Sequence, residues 1–512
     1  MGAASYICTM FIRKNKNRSG SVSIQIIQKV GRKNKIIKSL GSSYTQREEE
    51  LLVLLAKNEI ERIEGMASLF VEREDLIIDA FVENIENTDL QVVGPQTIIG
   101  KLYEQIGYHK AISSELFKHL VIHRLVELGS KLKAVEYLGR HLNDKFSVYT
   151  IYRFLDKLNS DYKGIIEQTT FNHTRKILQG HIGVIFYDLT PLYFESTKED
   201  ELRIAGYSKD CKHQHPQIMI GLMVGQNGYP IGYEIFEGNK AETKTLLSVL
   251  ESFEKKFNLE RPIVVADAAL LSQNNIDQLN AKGYQFILGG GIRNEENQIK
   301  GKILSLNIQE NNPKEIKHNS GRLIITYSSK RQKKDYKNRA KGLERLKNKI
   351  KSGKLSKENI NNRGYNKYLK LKGETTITID YEKYNQDSSW DGLKGYITNT
   401  ELAIAEVLSA YKNLWMIEKA FRISKTDLRI RPIFHRLKNR IEAHICICFT
   451  AYAIYKELER LLMENKVDIT VEKAIKEIKD IQQLKYMLLK AKFVKTKLLK
   501  LNKIQKQILN CI

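Results

Sequence analysis

The chain has 512 residues, of which 42% are hydrophobic, and a formal net charge of +25 at pH 7. That length allows about two to four domains, and the hydrophobic fraction is ordinary for a globular protein. Positive charge at this density favours a polyanionic partner, normally nucleic acid, over an anionic membrane surface. No apolar run reaches the ~18–20 residues of a membrane-spanning helix, so we expect no membrane partner.

The five cysteines include no CxxC pair, which argues against a disulfide framework and against a structural zinc site. The opening MGAASYICTMF is apolar but precedes its basic residues. This order is the reverse of a secretory signal, so the sequence predicts a cytoplasmic protein.

Residues 1–95 are predicted to form a basic β element followed by helices. Residues 1–47 contain ten Lys or Arg and no acid. The segment from Thr9 to Gly41 alternates like strands, with turn signals at Ser19-Gly20 and at Gly31. Residues 96–180 carry apolar residues at helical spacing. They predict a helical domain that either reads DNA ends or is a plain helical bundle.

In residues 181–300 the pattern of apolar residues changes from helical spacing to buried strands. GVIFYD reads as a buried strand, QIMIGLMVGQNGYPIGYEIF as a hairpin, PIVVAD as another strand and YQFILGGG as a fifth. Helical patterns separate the last three strands, so the predicted order is strand, strand, strand, helix, strand, helix, strand. This order indicates an α/β fold with a mixed sheet.

The rest of the chain is predicted in three parts. Residues 301–398 include the run 330–372, which has 17 basic residues against three acids and only one helical patch. Such a run is normally a solvated face or loop, and strand alternation returns after it. Residues 399–460 and 461–512 are the last two predicted parts, and the chain reads as helical from Ser409 to its end, apart from a break at Pro432.

Two aspartates follow apolar strands. Asp188 is predicted to end the first strand of this block, and Asp267 the fourth. Residues just past the ends of parallel neighbouring strands face one crevice. A half-buried carboxylate there is costly alone and favours a cation. For a single such Asp, a helix N-cap or turn role is the commoner explanation.

A third carboxylate lies in YKNLWMIEKAFRISKTDLRIRP, which we interpret as one helix. Tyr411, Glu418 and Lys425 are spaced by seven residues and drift only about 20° per step around its axis. Arg422 falls one turn beyond Glu418, beside the same stripe. The alternative is a surface helix with an ordinary Glu418–Arg422 pair.

Six segments in order resemble the DDE-type transposases of bacterial insertion sequences, in the branch with a Tyr-x2-Arg-x3-Glu-x6-Lys signature. The resemblance covers roughly residues 180–460. Any one segment is weak evidence, but six in order are specific. The segments are YDLTPLYFES, GYSKD, EGNKAETKTL, VVADAALLS, YKNLWMIEKAFRISK and RPIFHRLKNRIEAHICICF.

The resemblance implies an RNase H-like core, a mixed sheet flanked by helices. The core would be divided into residues 181–300 and 399–460 by a β-rich insertion at 301–398. It also implies that Asp188, Asp267 and Glu418 form a catalytic, metal-binding triad. Hard oxygen ligands select Mg²⁺ or Mn²⁺, and three carboxylates suit two-metal phosphodiester chemistry.

The resemblance further implies cutting at the inverted-repeat ends of an element and joining of those ends to target DNA. Two ends must be held together, so we expect a homodimer on double-stranded DNA in a bacterial cytoplasm, associated with the nucleoid. Tyr411, Arg422 and Lys425 would position phosphates, and Lys209 is a weaker DNA-binding candidate.

One position departs from the signature, because Leu414 stands where its Arg is expected and cannot clamp a phosphate. Two alternatives stay open: a catalytically silent DNA-binding protein derived from a transposase, and a nuclease on the same core. Retention of all three acids argues against the first.

Overall fold

The computed structural model describes residues 10–31, 33–63, 78, 81–83, 85–141, 146–206, 214–241, 245–259, 261–268, 272–353, 355–372, 376–487 and 494–512. Its strands are β1 Met10–Lys16, β2 Val22–Val30, β3 Lys33–Ser43, β4 Leu90–Val92, β5 Val184–Tyr193, β6 Ile204–Ala205, β7 Pro216–Val224, β8 Pro230–Glu237, β9 Ile263–Ala266, β10 Phe286–Gly290, β11 Lys314–His318, β12 Gly321–Tyr327, β13 Leu369–Lys372, β14 Thr376–Ile379, β15 Leu393–Thr398, β16 Gln482–Met487 and β17 Val494–Leu498.

The α-helices of the described residues are α1 Gln46–Ile63, α2 Gly100–Ile106, α3 Tyr108–Ala111, α4 Glu115–Val126, α5 Lys131–His141, α6 Val148–Ile177, α7 Leu246–Phe257, α8 Gln273–Ala281, α9 Asn297–Ser305, α10 Ser329–Lys351, α11 Tyr381–Gln386, α12 Ile404–Lys412, α13 Trp415–Arg422, α14 Lys438–Glu464, α15 Val471–Lys479 and α16 Lys503–Asn510.

The chain divides into two compact units. The first comprises Met1–Gly94 with Glu477–Lys506, and the second comprises Pro95–Lys476 with Gln507–Ile512. The predicted boundary after residue 95 lies one residue from the division at Gly94, and the boundaries at 180, 300, 398 and 460 fall inside the second unit. All of the predicted domain boundaries stay predictions.

The first unit begins with the antiparallel sheet β1–β2–β3, crossed on one face by α1. Ile24 and Ile26 of the central strand are buried against Leu52 and Ala56 of the helix. The turns lie where Ser19-Gly20 and Gly31 predict them. Both glycines have positive φ, which glycine adopts without steric cost.

A second antiparallel sheet in this unit has the order β17–β16–β4. The prediction of helix to the end of the chain is therefore wrong for residues 482–487 and 494–498. Only the stretch Leu484-Lys485-Tyr486 of these segments alternates apolar and polar side chains, which is too short a signal to separate strand from helix. β4, from the other end of the chain, pairs with β16 and completes the sheet.

The described strands of the second unit include a nine-stranded mixed sheet. Its order is β11–β12–β15–β10–β9–β5–β7–β6, with β8 also paired to β7. β9 is parallel to both β5 and β10, whereas the other pairs are antiparallel. The strands and helices from β5 to β10 follow the predicted order, except that the two-residue strand β6 was not predicted. The β7–β8 hairpin turns through Gln226–Gly228, where the Asn-Gly signal predicts it.

Helices cover both faces of this sheet. α7 and α8 pack on one face, where Phe253 and Leu279 are fully buried against Tyr187 of β5 and Val264 of β9. On the opposite face α13 packs on β5 and α14 on β8. There the rings of Tyr233 and Phe449 lie 4.9 Å apart. This is the mixed α/β sheet flanked by helices that the resemblance implies.

The segment between β10 and β15 is partly helical. β11 and β12 extend the large sheet, whereas the basic run forms the 23-residue helix α10. The sequence predicts only a short helical patch there. Arg and Lys are good helix formers, and Leu346 is buried in a small cluster with Tyr368 and Leu369. In the described part of the chain, no helix is both long and apolar enough to cross a membrane.

Substitution of Phe253 tests the packing of α7 on the sheet. Its side chain is fully buried, and a Cβ at Gly232 of β8 would lie 2.1 Å from its ring. We expect Phe253→Ala to lower the free energy of unfolding by about 3–5 kcal/mol. Urea unfolding followed by the fluorescence of Trp390 and Trp415 measures this change. Lys255→Ala, on the exposed side of α7, should change it by less than about 0.5 kcal/mol. A loss below about 1 kcal/mol for Phe253→Ala would contradict this packing.

Candidate active site

Asp188 lies on β5, and Asp267 directly follows β9, the parallel neighbour of β5. The register pairs Phe186 of β5 with Val265 of β9. Each aspartate comes two residues after its member of this pair, and a continuation of the register past the end of β9 would put the two on one face of the sheet. Adjacent strands are about 4.8 Å apart, so we expect the backbones of the two aspartates to lie near each other.

Asp188 does not end its strand. β5 continues to Tyr193 because the antiparallel strand β7 pairs with it up to that residue. Only β9 stops, at Ala266, directly before Asp267. Beyond Ala266, β5 therefore has no β9 strand beside it. Asp188 is half-buried there, and Asp267 is exposed.

Tyr411 fixes the orientation of Asp267. Its hydroxyl donates a hydrogen bond to Oδ1 of Asp267 at 3.0 Å, and the same oxygen accepts from the backbone N–H of Ala268 at 2.7 Å. Burial raises the pKa of Tyr411, and the carboxylates of Asp267 and Glu418 raise it further. The phenol therefore keeps its proton and remains a donor at neutral pH.

Gly289 allows Tyr411 to reach Asp267. It lies on β10, against which α12 packs. A Cβ at this position would stand 2.6 Å from the Tyr411 hydroxyl oxygen. A side chain here would push the ring away from the carboxylate.

Lys394 is a residue of this site that sequence reasoning missed. Its ammonium lies 4.4 Å from the ring centroid of Tyr411 and 5.1 Å from that of Tyr396. Burial lowers the pKa of Lys394, while the carboxylates of Asp267 and Glu418 oppose that change. Both carboxylates thus act on the same lysine. No sequence signal marks it, because only the pairing of β15 with β10 brings it to Asp267.

The segment that carries Glu418 is not one helix. α12 ends at Lys412, α13 spans Trp415–Arg422, and a π-helical turn follows at Ile423–Asp427. The uniform helix assumed from the sequence is wrong on this point. Glu418 and Arg422 are exposed on α13. The wider turn directs Lys425 to the sheet, where its ammonium donates to the hydroxyl of Thr190 on β5.

The grouping of all three acids around an ion stays a prediction. Among the described residues, which include all three acids, no three His, Cys, Asp or Glu side chains are placed to hold a metal ion. The structure places Asp188 on β5 and Asp267 directly after β9, and the Glu418 carboxylate acts to raise the pKa of both Tyr411 and Lys394. Lys209 lies outside the described residues, so its DNA-binding role also stays a prediction.

A cleft of about 750 Å³ runs from Asp267 and Tyr411 to α10 in the insertion. Five cations line it: Arg293, Arg331, Arg339, Lys367 and Lys394. Within the described part of the chain, the first four each have an acidic partner. Lys394 instead lies over the two tyrosine rings.

The family model for the Transposase DDE domain matches residues 179–454, more than half of the chain. The chain belongs to the DDE transposase family. Membership makes it a DNA transposase, an enzyme of DNA cutting and strand transfer. The match contains Asp188, Asp267, Tyr411 and Glu418. Membership of the branch with the Tyr-x2-Arg-x3-Glu-x6-Lys signature, in which Leu414 replaces the Arg, stays an expectation.

Two solved structures are similar to this transposase. The piggyBac transposase synaptic complex with hairpin DNA is 10% identical, with a TM-score of 0.37 over 75% of this chain and 76% of that chain. The Mos1 transposase paired-end complex with the left transposon end is 12% identical, with a TM-score of 0.16 over 34% and 58%. No curated protein matches the sequence.

The Tyr411 hydroxyl can be tested by a single-atom change. Tyr411→Phe keeps the ring but removes the hydrogen bond to Asp267. A hydrogen bond to a charged group contributes about 1.5–3 kcal/mol, so we expect DNA nicking by this transposase to slow about tenfold or more. DNA affinity should be unchanged. Single-turnover nicking of a plasmid that carries the ends of the encoding element measures the rate.

Tyr396→Phe is the matched control, since it removes a neighbouring hydroxyl that interacts with Thr326 rather than with Asp267. Its rate should stay within about twofold of wild type. Equal rates for the Tyr411 and Tyr396 variants would show that the bond to Asp267 has no part in the reaction.

Proposed function

We propose that the protein is the Mg²⁺-dependent transposase of a bacterial insertion sequence. It would cut the ends of its element and join them to target DNA in the cytoplasm, at the nucleoid. The observation that supports this most is the parallel pairing of β5, which carries Asp188, with β9, which Asp267 directly follows, together with the hydrogen bond from Tyr411 to Asp267. Both acids lie inside the segment that matches the family.

Asp188, Asp267 and Glu418 would hold the ions. Their donor atoms fit Mg²⁺ or Mn²⁺, since both prefer carboxylate oxygens to sulfur or imidazole. Divalent ions bound there would activate water or a DNA 3′-hydroxyl and stabilise the leaving 3′-oxygen. Asp188 would contribute its carboxylate from β5, Asp267 from directly after β9, and the exposed Glu418 from α13.

The surrounding residues would bind and orient the DNA strand. Tyr411 holds Asp267 by its hydrogen bond and keeps one oxygen in a fixed direction. Lys394 presents a half-buried ammonium beside the two acids and would contact a phosphate. Leu414 is only 9% exposed, so the signature position supplies no cation and Lys394 would take that role. Arg422 and Lys425 would contact phosphates from the other side of Glu418.

The DNA partner would be double-stranded, first the inverted-repeat ends and then the target. The net charge of +25 supports binding to a polyanion in general. Each protomer has one set of three acids, and the joining of two ends needs two sets. A homodimer assembled on DNA would meet that requirement.

Neutralisation of each acid in turn tests the catalytic assignment. Asp188→Asn, Asp267→Asn and Glu418→Gln should each slow nicking by about a thousandfold or more, since ligand loss removes several kcal/mol of transition-state stabilisation. DNA binding should stay within about threefold of wild type. Nicking assays in Mg²⁺ and in Mn²⁺, with parallel gel-shift measurements, provide both readouts.

Glu401→Gln is the control, because Glu401 is an exposed acid on the segment before α12 and should be dispensable. Near-normal nicking by any of the three variants would remove that residue from the site. An assay of strand transfer with pre-cut ends distinguishes a transposase from the two alternatives. A wild-type protein that nicks DNA but never joins such ends would be a nuclease. A wild-type protein that does neither would be catalytically silent.

A further inference from the structure

The helix α10 is held on one side by the rest of the insertion. Its buried residues are Arg339, Gly342 and Leu346. Arg339 pairs with Asp391 at 2.6 Å, and a Cβ at Gly342 would lie 2.3 Å from the ring of Tyr365. These close contacts prevent the helix from turning about its axis, so they determine which residues of α10 face solvent.

The solvent side of α10 carries a row of five exposed cations. At about 100° per residue, they fall within a sector of about 80° around the helix axis, and that sector is centred about 130° from the buried residues. Along the axis they span about 22 Å. We name this row the α10 stripe, and its members are Lys330, Lys334, Lys337, Lys341 and Arg345.

The acids of α10 leave the stripe positively charged. The helix has two acids, Asp335 and Glu344. Asp335 pairs with Arg331, which is not part of the stripe. Glu344 borders the stripe, but within the described part of the chain it forms no ion pair with a stripe cation.

Like charges follow one another along the stripe. Lys330 and Lys334 are four residues apart, and so are Lys337 and Lys341. Such pairs destabilise a helix. A DNA backbone, with one phosphate about every 3.4 Å of axis in each strand, would supply negative charges along the whole stripe and offset this repulsion.

The stripe borders the cleft that contains Asp267 and Tyr411. Arg331 and Asn338 of α10 line that cleft. Both lie within about 60° of Lys334 around the helix axis. A duplex whose backbone follows the stripe would therefore pass the mouth of the cleft.

The chemistry of the stripe suits phosphates of any sequence. Four of its five members are lysines, and a lysine ammonium is a point charge on a flexible stem, without the planar fork of arginine. Phosphate contacts orient a duplex but carry no sequence information. A protein-binding surface would instead be depleted of lysine at its centre. Target DNA has to be held largely without regard to its sequence, whereas the element's ends have to be distinguished from other DNA.

We propose that the α10 stripe binds the phosphate backbone of the target duplex and guides it to the cleft that contains Asp267. Its five cations would follow about six base pairs of one strand. The identity of this duplex as target DNA rests on the proposed function. Binding of duplex DNA without regard to sequence rests on the stripe alone.

Removal of the three central cations from the full-length protein tests the proposal. Lys334→Ala/Lys337→Ala/Lys341→Ala should keep α10 helical, because alanine is the best helix former, and circular dichroism checks this. For a scrambled duplex of about 30 base pairs, the slope of log affinity against log salt should become shallower by about 2–3, since each phosphate contact contributes about 0.9.

Strand transfer of pre-cut ends into a plasmid is the second readout for this variant. At limiting plasmid we expect a loss of about tenfold or more, which rising plasmid concentration should restore, because the defect is in target binding. Affinity for a duplex that carries an element end, and the rate of nicking at that end, should stay within about threefold of wild type.

The variant Lys334→Arg/Lys337→Arg/Lys341→Arg separates charge from packing. It keeps all three charges, which is what a phosphate contact requires, so strand transfer should stay within about twofold of wild type. A loss as large as that of the alanine variant would overturn the proposal.

The matched control is Lys255→Ala/Lys302→Ala/Lys314→Ala. It removes the same charge from exposed positions on α7, α9 and β11. Its salt slope should change by less than about 1, and strand transfer should be near normal. Equal losses in this control and in the stripe variant would overturn the proposal, since they would reflect net charge alone.

Two further outcomes would also overturn the proposal. If the stripe variant loses end binding and nicking as strongly as strand transfer, the stripe holds the element's ends rather than the target. If its salt slope and strand transfer both match wild type, the stripe does not bind DNA. A wild-type protein that joins no ends rejects the proposed function, and the salt slopes on scrambled duplex then decide whether the stripe binds DNA.

Discussion

Parallel pairing between β5 and β9 sets the backbone positions of two acids of the candidate site. It pairs Phe186 with Val265, and Asp188 and Asp267 each follow two residues later. A shift of one residue in this register would turn one carboxylate to the opposite face. The register is held by buried side chains on both strands, among them Tyr187 and Val264. Core packing and the placement of the two aspartates thus depend on the same strand pair.

The next strands outward complete the surroundings of Asp267. β10 is parallel to β9 and carries Gly289, which gives Tyr411 access to the carboxylate. β15 is antiparallel to β10 and carries Lys394 to the same place. The insertion between them, with α10, forms the far wall of the cleft. The insertion therefore contributes to the site although it interrupts the core in sequence.

Local patterns in the sequence predicted much of this arrangement. Apolar strands and the Asn-Gly turn predicted the strand order, and their ends marked Asp188 and Asp267. The features that the sequence did not predict depend on pairing between distant strands. β5 extends beyond Asp188 because β7 pairs with it up to Tyr193. Lys394 lies near Asp267 because β15 pairs with β10. The π-helical turn after Arg422 was missed because helical spacing of residues does not reveal a change of helical pitch. The strands β16 and β17 were missed because β4, which pairs with β16, lies about 390 residues away in the sequence.

The central claim is that Asp188, Asp267 and Glu418 act together on one metal centre. The most direct measurement is a structure of the protein with a pre-cut DNA end and Mn²⁺, in which anomalous scattering locates the metal. The account predicts manganese within about 2.0–2.3 Å of a carboxylate oxygen from each of the three residues. Manganese bound elsewhere, or bound at the aspartates with Glu418 still remote, would contradict it.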